Sequence, residues 1–143
     1  MSVRKAQAVW NGTLGKGSGI MSLGSGSSNG AYSFSSRFEN GKGSNPEELL
    51  GAAFAGCFSM ALSMLLEQAG FPPTSIRTEA NVSIDKVGDG FSITTISLDT
   101  EGTVPGCSDE VFLRYANAAK TGCPVAKALT GASVSLNARL VQK

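Results

Sequence analysis

Two cysteines carry the first chemical signal in this sequence. Cys57 lies inside an uncharged run from Leu49 to Leu66, and Cys123 lies in Gly122-Cys123-Pro124. The chain holds no histidine, which excludes the Ser-His-Asp and Cys-His hydrolytic constellations together with the commonest metal ligand. A free thiol, with a pKa of about 8.5, is only a few per cent ionised at neutral pH, so a reactive one needs a cation, a helix N-terminus or a metal beside it. Without histidine, the activating groups must be arginine, lysine or a helix dipole. Thiol redox chemistry is the leading reading.

Stepping from chemistry to scaffold, the run around Cys57 reads as one long helix. Asn45 suits its N-cap, Pro46 its first position, and Glu48 stands at capping-box spacing from Asn45. Gly70 and Pro72 form a stop signal at the other end. A run this long meets the lower limit for a membrane span, but Gly51, Gly56, Ser59, Ser63 and the capped ends favour a soluble helix. A helix apolar on every face must be buried on every face. A chain of 143 residues has difficulty surrounding a helix about 36 Å long, which favours a dimer whose two long helices cover each other.

Strand patterns flank that helix. Residues 3–10 and 16–23, separated by Asn11-Gly12 and Gly15, predict a hairpin, and residues 24–30 a flexible loop. Residues 31–39 alternate, with Tyr32, Phe34 and Phe38 on one face and Arg37 on the other, which predicts a strand carrying Arg37. Residues 80–87 and 91–100 flank Gly88-Asp89-Gly90, a second hairpin, and a parity change places a bulge near Thr94-Thr95. Ser108 is expected to cap a helix from Asp109 to about Thr121, Cys123 to stand at the N-cap of a short helix opened by Pro124, and residues 134–140 to form a last strand. The fold class is α+β with a mostly antiparallel sheet, in one domain over residues 1–143.

Charge and composition remove other classes of function. A net charge of +1 gives no basic stripe for nucleic acid. The N-terminus lacks the apolar stretch of a signal peptide, and three cysteines are too few and too odd for a secreted disulfide framework. A cytoplasmic protein with reduced or transiently oxidised thiols is expected. Trp10, Met64 and Phe71 read as core, Lys42 as a solvated loop charge and Cys107 as a loop thiol without a role.

The segments Arg37-Phe38-Glu39-Asn40-Gly41-Lys42-Gly43-Ser44-Asn45-Pro46-Glu47-Glu48-Leu49, Ala53-Phe54-Ala55-Gly56-Cys57-Phe58-Ser59-Met60-Ala61-Leu62 and Gly122-Cys123-Pro124-Val125 resemble the OsmC/Ohr family, the osmotically inducible and organic hydroperoxide resistance proteins, and are closer to the OsmC branch. The resemblance spans essentially the whole chain. It implies an intertwined homodimer with mostly antiparallel sheets around long buried central helices, and a thiol peroxidase that reduces organic hydroperoxides without metal or cofactor. It further implies Cys57 as the peroxidatic cysteine, Cys123 as the resolving cysteine, Arg37 as the activating cation and Glu47 as its carboxylate partner. The reductant it implies is a dithiol, in Ohr relatives a lipoylated protein.

Physical chemistry supports these roles unequally. Cys57 is mid-helix, where the macrodipole offers little, so an external cation such as Arg37 is needed. Glu47 and Cys57 stand ten residues apart on one expected helix, about 15 Å along its axis. If both serve one site, Glu47 must come from the partner subunit. Phe54, Phe58 and Met60 would give the site apolar surroundings suited to an alkyl or aryl hydroperoxide. A redox sensor, or a dimer that binds a small hydrophobic ligand without turnover, stands as the alternative.

Overall fold

The computed structural model describes residues 1–141. They fall into two compact units divided at Leu49/Leu50, and each unit is built from its own three-stranded sheet.

The first unit is an antiparallel meander of β1 (Ala6–Asn11), β2 (Ser18–Leu23) and β3 (Asn29–Tyr32). The predicted hairpin forms, with Ala6 opposite Leu23 and Asn11 opposite Ser18. Gly19 faces Tyr32 across the sheet, and a Cβ there would lie 2.6 Å from the Tyr32 ring and 2.8 Å from the Trp10 ring. Its missing side chain lets those two rings approach to 5.2 Å between centroids.

The strand expected over residues 31–39 stops at Tyr32, and Phe34–Phe38 forms a short helix, α1. Ser33 decides this. Its hydroxyl accepts from the Ser36 N–H at 3.1 Å while the Ser36 hydroxyl accepts from the Ser33 N–H at 2.8 Å, a reciprocal capping box. Phe34 and Phe38 are four apart, a spacing that fits one strand face and one helix face equally. Their rings meet at 5.0 Å, so the apolar alternation was real but belonged to the other period.

The long helix α2 spans Pro46–Gln68. The Asn45 side chain accepts from the Glu48 N–H at 2.8 Å, while the Glu48 carboxylate accepts from the Ser44 hydroxyl at 3.0 Å. At the far end Gly70 takes φ +91°. Phe71 N–H bonds the Leu66 carbonyl and Gly70 N–H the Glu67 carbonyl, which is a Schellman stop.

In the second unit, β4 (Ser75–Val87) and β5 (Gly90–Thr103) pair antiparallel through Gly88-Asp89, with Gly88 at φ +62°. Ser83 pairs with Thr95 and Ile84 with Ile93, so Thr94 is the bulged residue that shifts the apolar parity. Ser108 caps α3 (Asp109–Gly122), accepting from the Val111 N–H at 3.2 Å, and α4 (Pro124–Ala128) follows. β6 (Ser133–Leu140) then pairs parallel with β5, Ile96 opposite Val134. The sheets are antiparallel in three of their four pairings, and this last one makes the second sheet mixed.

The core lies in the second unit. Phe54, Phe58, Leu62 and Leu66, four apart along α2, are fully buried with Ile96, Leu98, Phe112, Ala116 and Ala119. A directional tie crosses this apolar packing: Ser59, Thr78 and Thr100 form a hydroxyl chain at 2.7 and 2.9 Å that ends on the Arg77 carbonyl. The other side of α2 is open. Met60 is 77% and Met64 51% exposed, with Ala52, Ala53 and Gly56 exposed on the same side. Burial on every face, expected for α2 from its composition, is therefore absent within one chain, and Met64 is not core. By length and composition alone α2 could cross a membrane; its buried stripe is that of a core helix.

Candidate active site

Each of the four expected site residues finds one partner, and the pairs fall one in each unit. In the second unit, α2 carries Cys57 half-buried between Phe54 and Phe58. The junction of α3 and α4 supplies Cys123, which is 1% exposed. The chain turns there because Cys123 ends α3, its N–H reaching the Ala119 carbonyl, and Pro124 opens α4. The Cys123 sulfur accepts from the Ala126 N–H at 3.4 Å.

Burial pushes the Cys123 thiol above its ordinary pKa. The Ala126 N–H opposes this, while the neighbouring Cys57 thiol raises the pKa further through a hydrogen bond and its charge. Both thiols are free. The structure thus brings Cys57 and Cys123 together although 65 residues separate them in the chain, with Cys123 kept as the neutral, shielded member.

In the first unit the last turn of α1 presents Arg37 to Glu47 in the first turn of α2. Arg37 Nε donates to Glu47 Oε1 at 3.1 Å and Oε2 at 3.3 Å, and Nη2 donates to Oε1 at 2.8 Å. This is the bidentate fork that arginine forms and lysine cannot. The Glu47 side chain is 7% exposed and that of Arg37 36%, so the carboxylate is dry while the cation reaches the surface. The guanidinium also lies 5.1 Å from the Phe38 ring centroid. Loss of Arg37 would leave Glu47 buried and unpaired, a cost of about 3 kcal/mol when both partners are dry and less with one partner exposed.

Of the apolar surroundings expected from α2, Phe54 and Phe58 are corrected by burial, while Met60 stays exposed. Phe54 and Phe58 are sealed in the core and offer no surface to a ligand. The first unit instead holds a cavity of about 420 Å³ lined by Trp10, Leu14, Tyr32, Phe34, Arg37 and Phe38. Trp10, read as core from sequence, is a wall of that cavity and only half-buried. A usable signal was present: aromatics gather on both sides of the one arginine between residues 10 and 38.

Cys107 is a half-buried loop thiol bonded to the Ser108 carbonyl at 3.4 Å, with its pKa raised by burial against the Phe112 N–H. Among the described residues no cluster of three or more His, Cys, Asp or Glu could hold a metal.

The OsmC-like protein family matches residues 39–138. Among curated proteins, the chain is 51% identical over 138 residues to the peroxiredoxin OsmC of Escherichia coli K12, covering 96% of each. It is 30% identical over 104 residues to an organic hydroperoxide resistance protein-like protein of Staphylococcus aureus, covering 71% of this chain and 74% of that one. Among solved structures, the organic hydroperoxide resistance protein OhrB of Bacillus subtilis superposes with a TM-score of 0.73 at 25% identity, covering 94% of this chain and 97% of that one. An OsmC-like protein of Mycoplasma pneumoniae gives 0.76 at 15% identity over 99% of both, a likeness of fold.

Proposed function

The chain belongs to the OsmC-like protein family, and we propose that it is a thiol-dependent peroxidase that reduces organic hydroperoxides to alcohols through Cys57. The observation that carries this reading is the half-buried Cys57 thiol with the shielded Cys123 thiol beside it. The name of the Escherichia coli relative supports it as well.

The steps follow thiol chemistry. The Cys57 thiolate attacks the terminal oxygen of the hydroperoxide; the O–O bond breaks, and the alkoxide leaves and takes a proton as the alcohol. Cys57 is then a sulfenic acid. The Cys123 sulfur attacks it, an S–S bond forms, and the departing hydroxide combines with the Cys123 proton as water. An external dithiol supplies two electrons and two protons by exchange and returns both thiols. In this scheme Arg37 stabilises the Cys57 thiolate and the peroxide oxygens, and Glu47 holds the guanidinium by the edge formed by Nε and Nη2.

Two features support a homodimer. The open stripe of Ala52, Ala53, Gly56, Met60 and Met64 on α2 is apolar surface of the kind a second copy covers. The ten-residue spacing of Glu47 and Cys57 on one helix favours a site whose Arg37 and Glu47 come from one subunit and whose thiols come from the other. The dimer is read as intertwined on the same ground. The unit boundary falls inside α2, which supports reading residues 1–143 as one domain. A cytoplasmic location, where thiols are kept reduced, and a dithiol reductant such as a lipoylated protein complete the reading.

The test is steady-state turnover with dithiothreitol, comparing cumene hydroperoxide with hydrogen peroxide in wild type and Cys57→Ser. Turnover of the organic hydroperoxide that is lost in Cys57→Ser is expected. A ligand-binding dimer would show no turnover, and full activity in Cys57→Ser would place the chemistry elsewhere.

A further inference from the structure

The aromatic cavity of the first unit has a composition that the thiol chemistry does not need. Trp10 and Tyr32 stand with centroids 5.2 Å apart and rings tilted by 53°. Phe34 and Phe38 stand 5.0 Å apart at 46°. Leu14 adds an exposed apolar side chain to the lining from the β1–β2 loop, and Arg37 is the only charged residue in the lining. The guanidinium is oriented twice over, by the fork to Glu47 and by the Phe38 ring. Nη1 is the nitrogen that takes no part in the Glu47 pair.

Resting on the peroxidase reading, we infer that this cavity seats the organic group of the substrate and selects aryl hydroperoxides over compact alkyl ones, with Trp10 and Leu14 as specificity-determining residues. Tilted ring pairs present faces and edges that an aromatic guest matches by offset or edge-to-face contact, whereas a small branched alkyl group meets only part of the wall. The guanidinium supplies the one charge in a mostly apolar lining that also holds Ser33 and the Tyr32 hydroxyl. A substrate with one apolar body and one polar peroxide end fits that layout. A mostly apolar, aromatic-walled cavity with a few polar groups is the usual form of a small-molecule site.

The consequence is separable from the chemistry of Cys57, because selectivity between two hydroperoxides cancels whatever the thiols contribute in common. The experiment measures kcat/KM for cumene hydroperoxide and for tert-butyl hydroperoxide with dithiothreitol, in wild type, Trp10→Ala, Trp10→Phe and Leu14→Ser. In Trp10→Ala the cumene to tert-butyl ratio is expected to fall about tenfold, mainly through KM for cumene hydroperoxide, and Trp10→Phe is expected to recover most of it. Leu14 is 64% exposed, so its replacement leaves folding intact even if Trp10→Ala does not fold; the same ratio should drop about threefold in Leu14→Ser. Ratios within about twofold of wild type in Leu14→Ser and in every folded Trp10 variant overturn the inference while leaving the peroxidase reading in place. No turnover of either hydroperoxide by wild type overturns both.

Discussion

The two pairs of proposed site residues sit in opposite kinds of surroundings. Cys57 and Cys123 are held by the apolar core of the second unit, assembled from α2, β5, α3 and α4, with Cys123 almost completely shielded. Arg37 and Glu47 are held in the first unit by short-range devices, a Ser33 capping box and the Asn45 cap, and the cation reaches the surface beside an aromatic cavity. The contrast separates two requirements. A sulfenic acid must meet its resolving thiol before a second oxidant arrives, which needs a dry and closely packed place. Charge and substrate recognition need access.

If that division holds, damage to the two pairs should differ in kind. After the complete loss expected in Cys57→Ser, the largest loss should come from Glu47→Ala, which leaves the guanidinium free to turn away; kcat/KM for cumene hydroperoxide should fall about 100-fold with the protein still folded by circular dichroism. Arg37→Lys should cost nearly as much, since an ammonium cannot reproduce the fork. Near wild-type rates in both variants would remove the ion pair from the site.

Assembly gives the next effect. Refolding Glu47→Ala chains together with Cys57→Ser chains should restore about a quarter of wild-type activity per subunit, because random pairing makes about half of the dimers mixed, each with one intact site. Recovery no higher than the mean of the parents, with mixed dimers confirmed by native mass spectrometry, would place all four residues within one chain or Glu47 outside the site.

A smaller and different loss is expected in Cys123→Ser. The first reaction with peroxide should keep its rate, while the sulfenic acid persists and overoxidises, visible as mass increases on Cys57. The smallest effect is the pH dependence of ring closure in wild type. Burial raises the Cys123 pKa, so at neutral pH nearly all of it is the neutral thiol. Its thiolate fraction grows as pH rises toward the raised pKa, and the closure rate should climb with it, by up to about tenfold per unit. A flat profile from about pH 7 to about pH 9 would show that the thiolate of Cys123 does not limit closure.

What could be read in advance was mostly what is local. Asn45-Pro46, Gly88-Asp89 and Ser108 act over a few residues, and each formed the cap or turn its chemistry dictates. The Thr94 bulge was visible because a parity change in one strand has few other causes. Phe34 and Phe38 misled because a four-residue spacing satisfies both periods, and the decision lay with two serine hydroxyls. The parallel pairing of β6 with β5 depends on where α3 and α4 return the chain, which no local pattern encodes. The Cys57–Cys123 pair was legible by resemblance, and the aromatic cavity was missed because Trp10 and Leu14 belong to a hairpin whose walls meet α1 only after folding.

The proposed cycle requires Cys57 and Cys123 to act as one unit. Titration of the reduced protein with one equivalent of cumene hydroperoxide, followed by alkylation and peptide mass mapping, tests it most directly. The expected product is an intrachain Cys57–Cys123 disulfide with Cys107 alkylated. A disulfide that involves Cys107, or full turnover with all three thiols still free, would contradict it.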